Sequence, residues 1–227
     1  MINVERLNTF ISEGRVIRGQ WRGTDAQGRE TACLLAALAP ECGREQRAGA
    51  CPADVMPRWL AHLVPWMDDE GTAEQWPGMV RRFAAVAARW HVLTPEQWQR
   101  LEWTAKLLTV TEARQHTSDP AALEACDGTI ALLQDAIERG TMDESRRVAA
   151  YGAADSAAWG AAYGAADSAA YGVAWSAAWS AAYGAAYSAA ESAAWGAAAS
   201  AAASAAVDRL TAAILGAIET ACDGVRS

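Results

Sequence analysis

Cys33, Cys42 and Cys51 recur at nine-residue intervals, and His62 follows eleven residues after the third. Thiolate and imidazole are the donors zinc takes, but structural zinc sites pair their ligands about two to four residues apart. No such pair occurs, so the thiols read as free and wholly or partly buried. Met67-Asp68-Asp69-Glu70-Gly71 concentrates carboxylates, the ligands of a hard divalent cation. A polar turn between two helices accounts for that run better. Residues 15–23 (Arg-Val-Ile-Arg-Gly-Gln-Trp-Arg-Gly) carry three arginines and a tryptophan with no acid. Guanidinium forks hold phosphate or carboxylate, which makes Arg15, Arg18, Trp21 and Arg22 the small-anion candidates, set against a solvated loop.

His91 and His116 stand at the ends of expected helices, where a cation is electrostatically favoured. Glu112 and His116 are spaced i, i+4 and could pair as base and orienter, but no nucleophile motif accompanies them. The chain contains no G-x-G-x-x-G, P-loop, H-E-x-x-H or G-x-S-x-G. No catalytic residue, metal or cofactor is assigned on this basis. An enzyme reading would need a pocket within residues 1–148, built around Arg18, Arg22, His62, Asp68 or His91 and taking a small anionic ligand.

The elements that must position these residues are helical. Thr94-Pro95-Glu96-Gln97 combines an N-cap threonine, an N1 proline and an N3 glutamine, and Thr141-Met142-Asp143-Glu144 repeats the box. Ser118-Asp119-Pro120 opens another helix, and Gly140 closes it. Met79, Phe83, Val86 and Trp90 recur at three or four, as do Leu123, Cys126, Ile130, Leu133 and Ile137. Helices are expected over 2–12, 29–38, 54–65, 73–91, 95–116, 119–139 and from 142 onward. Residues 14–28 and 39–53 read as irregular, because glycine and proline punctuate them.

The second half differs. All seven prolines precede residue 121, and all five tyrosines lie between Tyr151 and Tyr187. From Tyr151 to Ala206 run fourteen copies of x-(Gly/Ser)-Ala-Ala, with Val173 the one lapse in the alanines and nine aromatic x positions. Alanine fills 29 of these 56 positions and no proline interrupts, which favours an α-helix over a silk-like strand or a coil. Such a helix would span about 84 Å as a single rod. Four residues advance about 400°, so each x position lies about 40° further round and the aromatic row winds about the axis. A period of four exceeds both supercoil repeats and argues against a two-stranded coiled coil. The Gly/Ser row at i, i+4 permits close helix contact. Trp175, Trp179, Tyr183 and Tyr187 form four successive aromatic steps. With Trp159, Tyr163, Tyr171 and Trp195 they are the residues expected to meet a partner. Three acids and no base accompany the aromatics, so an isolated helix of this kind should self-associate.

After the tract, Leu210, Ile214 and Ile218 return to ordinary amphipathic spacing in a helix that should dock on a core. The expected architecture is all-α: a multi-helix N-terminal domain (1–140), a tetrad-repeat helix or helical hairpin (141–206) and a short docking helix (207–227). The net charge of −8, with no strongly basic segment, disfavours nucleic acid as a partner. Tyr171–Ala190 lacks charge but also lacks Leu and Ile, which disfavours a membrane span. Five cysteines, an odd number, and the lack of a signal-like start fit a reducing, cytoplasmic setting. Three functions are compatible with these features. The first is a non-enzymatic structural or interaction protein that self-assembles or docks another protein through the tract. The others are a phage or bacterial inhibitor or immunity-type factor, and the enzyme outlined above.

Overall fold

The computed structural model describes residues 3–115, 120–150 and 200–225. These are predominantly helical, as expected, and divide into two compact units, Met1–Leu93 with Ile218–Ser227, and Thr94–Ala217. The division falls inside the stretch 1–140 that reads as one domain in the sequence. Residues 151–199, which hold most of the tetrads, lie outside the described residues.

In the first unit α1 (Val4–Ser12) opens where Asn3 accepts the Arg6 N–H at 3.0 Å, and it buries Leu7 and Phe10. The segment after it departs from expectation. Arg22–Thr24 (β1) and Glu30–Ala32 (β2) form an antiparallel hairpin with Gly23 opposite Thr31, and Val16 bridges Ala32 in parallel on its other side. The turn is set by Asp25, whose carboxylate accepts the N–H groups of Gln27 and Arg29 at 2.9 and 2.8 Å. The helix expected over 29–38 is therefore delayed to α2 (Leu34–Leu38), because residues 30–32 are held by strand pairing and Cys33 is an extended N-cap.

Every residue of α2 is buried. A helix absent from the expectation, α3 (Pro40–Glu45), follows directly, with Pro40 at its first turn. Gly43 is where α3 approaches α2: a Cβ there would lie 3.0 Å from the Ala36 Cβ. Gln46, at φ 51°, reverses the chain into a 3₁₀ turn at Ala48–Ala50. The next helix, α4 (Arg58–Asp69), begins after Pro57 and continues through Pro65, where the sequence suggests an end. Pro65 lacks one N–H, but Leu60, Leu63, Val64 and Met67 are buried around it and hold the helix together. In α5 (Trp76–Ala87) Phe83 is buried and meets Trp90 edge to face at 5.5 Å and 85°.

The second unit contains α6 (Pro95–Arg114) and α7 (Pro120–Arg139), packed on each other over Trp103, Leu133 and Ala136. Both halves of the Thr94–Gln97 capping box form, at 2.8 and 3.3 Å. Gly140 ends α7 at φ 72° and returns its N–H to the Ala136 carbonyl. The second box shifts: Asp143, not Thr141, accepts the Arg146 N–H at 3.0 Å, and α8 covers residues 144–150. The closing helix, α9 (Ser200–Gly224), takes in the end of the tract, so residues 200–206 are helical as expected. Leu210, Ile214 and Ile218 are buried, as their spacing implies. Within the first unit, the last turns of α9 are tied to α5 by Arg82 and Glu219, at 3.0 and 2.7 Å.

Candidate functional site

Asp68 is the only buried charged residue among the described residues, at 1% exposure. It reads in the sequence as part of a polar turn; in the structure the last turn of α4 carries it inward. One carboxylate oxygen accepts the Leu34 N–H at 2.9 Å, supplying the first turn of α2 with an acceptor from a different helix. The other accepts Trp76 Nε1–H at 2.7 Å. The site thus joins α2, α4 and α5 at a single carboxylate.

Arg18 reaches the same helix end. Its Nε donates to the Asp68 carbonyl at 2.7 Å, and Nη2 donates to the carbonyls of Asp69 and Gly71 at 2.6 and 2.7 Å. A guanidinium on the free carbonyls at a helix C-terminus satisfies them and complements the helix dipole. The Gly19 N–H donates to the Asp69 carboxylate at 2.7 Å, fixing the loop beside it. The Arg18 guanidinium also lies 5.9 Å from the Trp76 ring.

Burial pushes the Asp68 carboxyl up to about 6. The two hydrogen bonds and Arg18 oppose that rise, while Asp69 adds to it. Cys33, whose Sγ accepts the Ala36 N–H at 3.4 Å, is pushed up to about 12, chiefly by burial, with Asp68 contributing. It is a thiol at neutral pH and not a nucleophile. A carboxyl near 6 has the acidity of a general acid or base. Both of its oxygens, however, are already engaged by donors of the fold.

The other arginines of the candidate loop are separately engaged. Arg15 donates to the Glu30 carbonyl at 2.9 Å, pairs with Glu13 at 2.7 Å and lies 4.0 Å from the Phe10 ring centre. Arg6 covers that ring too, at 4.4 Å, and donates to the carbonyls of Ala36 and Ala37 at 2.7 and 2.8 Å. Trp21 offers its carbonyl to the Cys33 N–H. Arg22 is exposed, with its nearest carboxylate on Glu30 at 3.8 Å. Arg15 and Arg22 thus both lie against Glu30, the Trp21 backbone bonds Cys33, and Arg18 is bound to the end of α4.

His62 is exposed on α4, its imidazole held below the ordinary range by partial burial and by Arg58. His91 is exposed in the 3₁₀ turn Trp90–Val92. Glu112 pairs with Arg209 at 2.6 Å; His116 lies outside the described residues. No disulfide joins the five cysteines, and no group of three or more His, Cys, Asp or Glu side chains converges among the described residues. No described helix is long and apolar enough to cross a membrane. Trp159, Tyr163, Tyr171, Trp175, Trp179, Tyr183, Tyr187 and Trp195 all lie outside the described residues. The contributions of Arg6 and Trp76 are ones that sequence reading missed, because both bind across the chain, at separations no local pattern encodes. No family model matches this chain, nor does any characterised protein or solved structure.

Proposed function

We propose that this chain is a non-enzymatic structural or interaction protein whose tetrad tract, residues 151–206, drives association with further copies of itself or the docking of another protein. The observation that carries this reading is the tract's composition: nine aromatics on fourteen tetrads, with three acids and no base. So much Trp and Tyr on an Ala/Gly/Ser frame has a large area to cover, and three charges over 56 residues do little to hold copies apart. Helical backbone leading into the tract, at 144–150, and over its last residues from Ser200 supports a helical reading of it. A helix whose aromatic row winds about the axis, with a small-residue row beside it, fits contact from several sides, as in a multi-helix assembly. The engagement of Asp68, Arg15 and Arg18 in holding the first unit together also favours a scaffold over a catalyst.

Light scattering coupled to size-exclusion chromatography tests the proposal on the full chain. The expected result is an assembly larger than a monomer. In a variant carrying Trp175→Ala, Trp179→Ala, Tyr183→Ala and Tyr187→Ala it should shrink while the circular dichroism of the N-terminal helices persists. A wild-type chain that stays monomeric up to high concentration, and that retains no protein partner through these four residues, would overturn it.

A further inference from the structure

Cys42 and Cys51 are brought together by a closed turn of the first unit. Cys42 is on α3 and wholly buried; Cys51 ends the following 3₁₀ turn and is partly open to solvent. Gln46, with its left-handed φ of 51°, reverses the chain between them. The N–H groups of Gln46 and Arg47 both return to the Cys42 carbonyl, and the Cys51 N–H returns to the Ala48 carbonyl at 3.0 Å. The 3₁₀ turn packs on both α3 and α4, which fixes the approach. The turn brings the two thiols within range to influence each other, and the Cys51 S–H reaches the Pro52 carbonyl at 3.8 Å.

We propose that Cys42 and Cys51 form a redox-active dithiol that a hydroperoxide converts to an intramolecular disulfide, with Cys51 the attacking sulfur and Cys42 the resolving one. Their surroundings make the two sulfurs unequal: Cys51 is partly open to solvent and Cys42 is wholly buried. The neighbouring Cys42 thiol holds Cys51 below the usual thiol range, against the opposing effects of burial, Glu41 and Asp54. The neighbouring Cys51, together with burial, holds Cys42 above the usual range. The more acidic thiol is therefore also the more accessible one, the combination that marks a peroxide-sensitive cysteine.

In the first step the Cys51 thiolate attacks one peroxide oxygen. An S–O bond forms, the O–O bond breaks, and the departing hydroxide or alkoxide takes a proton from solvent. Cys51 is left as a sulfenic acid. In the second step the Cys42 sulfur attacks Cys51 as its own proton leaves. The S–S bond forms, the S–O bond breaks, and the hydroxyl departs as water with that proton. Two thiols lose two electrons in total, and one peroxide is reduced. An external dithiol reverses the change by exchange.

The test uses the full chain, hydrogen peroxide and mass spectrometry without reductant. The intact mass should fall by two hydrogen atoms, a digest should contain the Cys42–Cys51 linked peptides, and dithiothreitol should restore the starting mass. Cys51 should alkylate with iodoacetamide at neutral pH roughly tenfold or more faster than Cys33. The Cys42→Ala variant should stop at the sulfenic acid, trapped as a dimedone adduct on Cys51; Cys51→Ser should give neither product. A disulfide between other cysteines, oxidation of Cys51 to the sulfinic acid in the wild type with Cys42 still free, or alkylation of Cys33 ahead of Cys51 would each overturn the proposal. The alkylation and linkage readings need only the wild-type chain, so they stand whether or not a variant folds.

Discussion

Replacing Asp68 by asparagine separates the two roles of this buried carboxyl, its charge and its acceptors. The folded-state acidity lies near 6 against an ordinary value of 3.8. At about 1.4 kcal/mol per unit, burying the ionised form costs about 3 kcal/mol relative to the unfolded chain. Because the folded value is the higher one, the native state binds more protons between pH 4 and 6, so this group's contribution falls as pH rises through that window. Above it the loss is complete. The asparagine amide has no such ionisation, but it keeps only one acceptor for two donors. The Leu34 N–H or the Trp76 indole is then left facing an NH₂ group, a pH-independent loss of about 1–3 kcal/mol. About 1 of those 3 kcal/mol is already lost at pH 4.5, so the gap by which the Asp68→Asn chain trails wild type should close by about 2 kcal/mol between pH 4.5 and pH 7.5, leaving it less stable at the lower pH and equal to or more stable than wild type at the higher. Urea unfolding of both proteins at these two pH values, followed by tryptophan fluorescence, measures the gap directly. A gap that does not change with pH, or that widens as pH rises, would refute the account of a carboxyl held up by burial.

Two further outcomes rest on other parts of the fold. At Gly43 a methyl would press at 3.0 Å on the Ala36 Cβ and the Arg22 stem, so Gly43→Ala should lower stability by about 1–3 kcal/mol, whereas Gly128→Ala, with open space on α7, should raise it by up to about 1 kcal/mol; equal effects in urea unfolding would contradict the packing described. Arg82 and Glu219 are about a third exposed, so Glu219→Gln should cost less than about 1 kcal/mol, and that cost should shrink when the melt is repeated in 1 M salt.

Local signals were legible in the sequence to the extent that their physics is local. The Thr94–Gln97 box, Gly140 at a helix end and the i, i+4 burial of Leu210, Ile214 and Ile218 all depend on neighbours a few residues away. Three features depended on distant ones. Residues 30–32 pair as a strand because Arg22–Thr24 lies alongside, and α2 starts at Leu34 partly because Asp68, 34 residues on, accepts its first N–H. Pro65 fails to end α4 because burial on both sides of it outweighs one missing hydrogen bond. Asp68 was hidden for the same reason: three consecutive acids suggest a solvated turn, and only the helix azimuth separates the inward one from Asp69 and Glu70, which are exposed. The spacing of the cysteines was visible, but not that a left-handed Gln46 closes Cys42 onto Cys51.

The arginine usage acquires a physical meaning from the first unit. A segment with few ladder pairs, such as 13–33, and short helices such as α2 leave carbonyl groups that secondary structure does not satisfy. A guanidinium on a long stem reaches two or three of them at once, and Arg6 does this at Ala36 and Ala37 and Arg18 at Asp68, Asp69 and Gly71, while Arg15 takes the Glu30 carbonyl. An ammonium has no planar fork with which to span such a set, which fits a chain with eighteen arginines and one lysine. Clustered arginines here are first of all devices of the fold, and a ligand can be inferred from them only where their donors remain free. The tract has no arginine or lysine at all. Any hydrogen bonds its side chains offer to a partner's acceptors must come from indole N–H groups and from phenolic and serine hydroxyls, short-armed donors that require the partner's backbone or side chains to approach closely. In the proposed assembly the glycine or serine that follows each x position in the sequence is what would allow that approach.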